Sequence, residues 1–146
     1  MRRRPGTFLR DRSGATAVEF AIVLVPLATL LFGGVEFARM AWARQALQQT
    51  AIAGARCMGL LASNCASSGV YSVSAAKTFL AAQASGLGIT IPAANMTLNR
   101  SATCAGTGNF SSVTLTYRFN TVAPVLVSAL AGGADLTATA CFPNNI

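Results

Sequence analysis

Sixteen consecutive residues without a charge, Phe20 to Val35, constrain this chain more than any other feature in it. Ten of the sixteen are Leu, Ile, Val or Phe, and the apolar character reaches back to Ala15 with Glu19 as its sole interruption. A bilayer core is spanned by about 20 such residues in an α-helix. At roughly −0.3 to −0.6 kcal/mol for each large apolar residue near the membrane centre, these ten contribute about −3 to −6 kcal/mol toward insertion. One carboxylate close to the end of the segment costs less. Pro26 is compatible with a membrane helix, where neighbouring groups satisfy the carbonyl that proline leaves free, and it implies a bend.

Charge is arranged around this run. Arg2, Arg3, Arg4, Arg10 and Arg12, offset by Asp11, give residues 1–14 a net +4 out of the chain's +7. Such a leader holds the N-terminus in the cytoplasm and sends the remainder across, although Arg39 and Arg44 past the other end soften the asymmetry. The net +3 left for the other 132 residues is too thin for a polyanion-binding face, so nucleic acid is not an expected partner.

Inventory restricts the chemistry. The chain has no histidine, which removes Ser-His-Asp and Cys-His nucleophile pairs and any histidine-ligated metal. Its Asp and Glu total four, and Asp135 is the only side-chain carboxylate after Glu36, so paired-carboxylate catalysis has no second member. No enzyme activity, cofactor or metal is expected. Glu36, three residues before Arg39, reads as one half of a local ion pair at the outer edge of the membrane.

Helical periodicity continues beyond Val35. Met40, Ala43, Leu47, Ala51, Gly54, Met58 and Leu61 recur at spacings of three and four, with Gln45, Gln49 and Arg56 almost opposite. The expectation is one helix from about Ala15 to about Leu60, with residues 15–35 in the membrane and residues 36–61 as an amphipathic extension. From residue 62 to 146 the composition turns to Ser, Gly, Thr, Asn and Ala. Here NCASSGVYS reads as a loop, and Ser74 to Ala84 as a short helix capped by Ser72 or Ser74. The stretch GLGITIPAANMTLNRSA reads as one or two strands interrupted by Pro92, and Pro124 to Leu130 as a helical turn leading to a Gly132-Gly133 break. Strict alternation marks two strands, one with Val113, Leu115, Tyr117 and Phe119 on a face, the other with Leu136, Ala138, Ala140 and Phe142. The fold class is α+β, a long N-terminal membrane and stalk helix packed on a small antiparallel sheet.

Four cysteines, Cys57, Cys65, Cys104 and Cys141, lie on the side expected to be outside the cytoplasm, which suits two disulfides. Three connectivities are open. Sequence proximity favours Cys57 with Cys65, leaving Cys104 with Cys141 to join two strand regions. A four-thiolate zinc site is the rival reading, and the absence of a C-x-x-C pair counts against it.

The basic leader ends in Gly14, the apolar helix begins at once, and Glu19 and Phe20 are the fifth and sixth residues after that glycine. This resembles the processing site of type IV pilins, which a membrane aspartyl prepilin peptidase cuts on the cytoplasmic side, and it implies cleavage between Gly14 and Ala15. Over Gly14 to Arg56, GATAVEFAIVLVPLATLLFGGVEFARMAWARQALQQTAIAGAR is similar to the N-terminal module of TadE-like proteins of the Tad (Flp, tight adherence) pilus system. VTLTYRF and LTATACF resemble the family's C-terminal strands more loosely. Phe20 stands where the major pilins of this system usually carry tyrosine, which suits a minor pseudopilin.

The resemblance implies a minor pilin-like structural subunit, needed for assembly or initiation of an adhesive Tad pilus. Its partners would be the prepilin peptidase, other pilin and pseudopilin subunits, the inner-membrane assembly platform and membrane lipid. It would reside in the bacterial inner membrane as a single-pass protein with a periplasmic C-terminal domain, or enter an extracellular pilus. By analogy with type IV pilins, Glu19 of one subunit would neutralise the new ammonium of Ala15 on a neighbour inside an apolar bundle and so set axial register. The alternative is a periplasmic or secreted binding or adhesive protein, made either with a conventional signal peptide cut after Ala41-Trp42-Ala43 or with an uncleaved single-span anchor.

Overall fold

The computed structural model describes residues 13–121 and 133–145. The sequence-expected turn at Pro124 to Leu130, Gly132 of the glycine pair and nearly all of the basic leader lie outside these residues. The chain divides into two compact units, one ending at Phe37 and the other beginning at Ala38.

The first unit holds the start of helix α1, Ser13–Gly59. Leu, Val, Ile and Phe surround the helix axis on every side, so no face is set aside for a core, and from Gly14 to Val35 almost every residue is exposed. The helix passes through Pro26 without a break. Polar groups in this stretch bond locally: the Thr29 hydroxyl donates to the Val25 carbonyl at 2.8 Å, one turn back, and so carries no unmet donor into an apolar surrounding.

The second unit is built on the remaining turns of α1. Met40, Ala43, Leu47, Ala51 and Met58 are buried while Gln45, Gln49 and Arg56 are exposed, the arrangement the stripe demands. Small residues let other elements come close. A Cβ on Gly54 would collide with the Leu80 side chain, and one on Gly59 would lie 2.7 Å from Phe142 Cδ1 and 2.8 Å from the Pro143 carbonyl oxygen. Gly59 also accepts a hydrogen bond from the Asn145 N–H at 2.9 Å, so the chain's last strand is docked on the end of α1.

After α1, the segment NCASSGVYS, whose composition reads as a loop, contains a miniature hairpin, β1 Ala66–Ser67 and β2 Val70–Tyr71. Ser68 and Gly69 between them have φ of 52° and 78°, the left-handed pair of a two-residue turn whose twist matches paired strands. Helix α2, Val73–Gly86, is capped by Ser72 rather than Ser74, the Ser72 side chain accepting from the Ala75 N–H, and buries Ala76, Leu80 and Ala84. Of the one or two strands expected around Pro92 the fold has one: a 3-10 turn, Ala93–Asn95, leads into β3.

Strands β3 Met96–Cys104, β4 Thr107–Arg118 and β5 Asp135–Pro143 form an antiparallel sheet in that order. Val113 and Leu115 of β4 stand opposite Ala140 and Ala138 of β5, and these four fill the face toward the helices. The β3–β4 pairing carries register shifts between Asn99 and Cys104. One disulfide, Cys57–Cys65, fastens the end of α1 to the segment before β1, and the other, Cys104–Cys141, joins the two outer strands. They differ in setting: Cys65 is fully buried, whereas Cys141 is exposed.

Asn144 locks the far edge of the sheet. Its Nδ2 donates to the Arg100 carbonyl at 2.7 Å and to Asn109 Oδ1 at 3.2 Å, while its Oδ1 accepts from the buried Ser111 hydroxyl at 2.6 Å.

Candidate processing and assembly segment

The residues singled out at the head of the apolar run, Gly14, Ala15, Glu19 and Phe20, all fall in the opening turns of α1 and are all exposed. Three of the five residues from Ala15 to Glu19, namely Ala15, Ala17 and Glu19, are strong helix formers, and all five are exposed. Gly14 is instructive. A Cβ there would meet nothing within 4 Å, so the fold places no demand for glycine at this position. Among the described residues none is bonded to the Glu19 carboxylate. It stands on an apolar cylinder with its charge available to an outside partner.

Glu36, by contrast, is buried, with 5% of its surface open, and it has a partner, as do Arg39 and Arg44. Within the second unit the Arg39 guanidinium lies over the buried Phe119 ring, 5.6 Å from its centroid. A second such contact sets Arg100 over Tyr71 at 6.0 Å; the Tyr71 hydroxyl and Arg100 Nε are buried without hydrogen-bond partners. Burial pushes the Tyr71 phenol above its ordinary range, and the Arg100 charge pulls part of the way back. No sequence signal marked these pairs, nor Asn144, because each joins positions far apart in the chain.

Surface hollows in the second unit include two formed by described residues. One, of about 460 Å³, is lined by Ile52, Leu60 and Phe79 with Arg56 and Gln49 at its edge. The other, of about 640 Å³, is lined by Ser67, Ser72, Ser74 and Thr78 with Phe79. Neither brings together an acid and a base. Among the described residues no group of three or more His, Cys, Asp or Glu side chains converges.

Helix α1 is long and apolar enough to cross a membrane, and none of its most apolar stretch is buried. A core helix of a water-soluble protein would have that stretch covered. The family model for TadE-like proteins matches residues 14–56, beginning at the glycine that ends the leader and finishing in the last turn of α1. This N-terminal segment is TadE-like. No curated protein and no solved structure matches the chain. The TadE-like segment therefore comprises the exposed apolar turns and the buried stripe together, and the downstream sheet is known from its own geometry alone.

Proposed function

We propose that the chain is a minor pilin-like subunit of a Tad pilus, without enzymatic activity, cut after Gly14 by a prepilin peptidase and held before assembly by residues 15–35 in the inner membrane. The observation that carries this reading is the TadE-like match beginning at Gly14, on a helix whose apolar surface is uncovered. A glycine that packing does not require, followed five residues later by an exposed carboxylate, fits recognition by another protein better than service to this fold. Cleavage frees the Ala15 ammonium, and in a bundle of such helices Glu19 of the adjoining subunit is its neutralising partner. Leaving either charge alone in that apolar setting costs several kcal/mol, so the pairing selects one axial register.

The signal-peptide alternative requires a cut between Ala43 and Arg44. Ala43 and Met40 are buried in the core of the second unit, in the middle of a helix, so such a cut would strip two core residues from the folded product. That geometry counts against the signal-peptide cut. In cells, Glu19→Gln should leave the protein in the membrane but sharply reduce its recovery in sheared pili. Normal processing together with normal incorporation would remove the register role of Glu19.

A further inference from the structure

Trp42, the chain's only tryptophan, is placed oddly within the second unit. Met40, Ala43 and Ala46 beside it on the helix are buried, yet the indole leaves 63% of its surface open. Its polar end is satisfied all the same, since Nε1–H donates to the Leu87 carbonyl at 3.1 Å. Leu87 closes the C-terminal end of α2 and precedes Gly88, whose φ is +80°. The bond thus ties α1 to the turn after α2, across 45 residues of sequence. With its only donor engaged, the ring offers hydrocarbon outward, on the order of 150 Å² of it.

We propose that the edge formed by Trp42 and the Leu87–Gly88 turn rests in the lipid headgroup layer, with Trp42 as an interfacial anchor holding the end of α2 at the membrane surface. The inference depends on residues 15–35 spanning the membrane. Trp42 follows Val35 by only seven residues, a connection of no more than about 25 Å in any conformation, so the headgroup layer is within reach of the indole. An aromatic with an apolar body and a satisfied polar tip is the residue type suited to that depth. Arg39 and Arg44 flank it and outnumber Glu36 on its N-terminal side, and no acidic residue follows in the sequence until Asp135. The turn offers no bulk to hold lipid away, since a Cβ on Gly86 or Gly88 would meet nothing within 4 Å.

Because there is one tryptophan, the full chain reports its own position. It would be reconstituted in phosphatidylcholine–phosphatidylglycerol vesicles, and insertion scored separately by flotation after carbonate washing. Nitroxide-labelled headgroup lipid should then quench most of the emission, acrylamide should lose most of the access it has to the same chain in denaturant, and neither should vary with the protein-to-lipid ratio. A chain that floats but is quenched freely by acrylamide and not by the nitroxide overturns the anchor while leaving the membrane span intact. Protection that grows with protein density and ignores the nitroxide assigns the ring to a second copy and likewise overturns it. Failure to float removes the span, and the anchor with it.

Discussion

Leu30, Leu31 and Phe32 leave 62% or more of their surface open, whereas Leu47 and Met58, in the same helix, are almost completely covered. Hydrophobicity alone does not separate the two stretches. Distribution around the axis does. Before Phe37 large side chains occur on all sides and none of the described residues covers them; after Ala38 the buried positions form one stripe, much of it alanine and glycine, with glutamine and arginine on the other side. The first stretch therefore needs a surrounding that the chain does not supply, and the second makes its own.

Loss of a cross-link should distinguish the stretches most strongly. Serine at Cys104 and Cys141 removes a link closing 37 residues and should cost about 4 kcal/mol, and serine at Cys57 and Cys65, closing 8, about 2.5 kcal/mol from loop closure. In detergent micelles, reduction of both should abolish the near-ultraviolet circular dichroism of the second unit while the helix before Phe37 keeps its far-ultraviolet signal.

Leucine truncation comes next. Leu47→Ala empties a fully packed site and should lower stability by about 3 kcal/mol in denaturant titration. Leu31→Ala should change it by less than about 0.5 kcal/mol, and equal losses at the two positions would break the distinction. Glycine substitution sharpens it further. Gly59→Ala forces a methyl against the Pro143 carbonyl and should cost about 2 kcal/mol, while Gly34→Ala, which meets nothing within 4 Å, should be neutral or slightly stabilising.

Two smaller effects probe the sheet. Asn144→Ala leaves the buried Ser111 hydroxyl without its acceptor and should cost about 1.5 kcal/mol. Ala105→Gly should raise the unfolding midpoint, adding about 1 kcal/mol, because Ala105 holds φ of 50° in the turn between β3 and β4.

Periodicity made much of this fold readable in advance. The three-and-four spacing from Met40 to Met58 announced which side of α1 is buried, and alternation in β4 and β5 announced the inward faces, because both patterns record burial directly. The hairpin at Ser68-Gly69 leaves no such trace because its strands are two residues each, too short for alternation to show. Around Pro92 the pattern leaves one or two strands open, and the 3-10 turn that starts β3 is too short to show in it. Side-chain links such as Trp42 to Leu87 and Asn144 to Arg100 join residues 45 and 44 apart and leave no periodic trace. At the candidate site, the Gly14 to Phe20 pattern is visible in the sequence, and the structure adds that these residues are exposed rather than part of the core.

The most direct test of the central claim is the N-terminal residue of the protein recovered from cells that make it. A chain beginning at Ala15 is the expected result. One that begins at Met1, or at Arg44, while pili still form would contradict it.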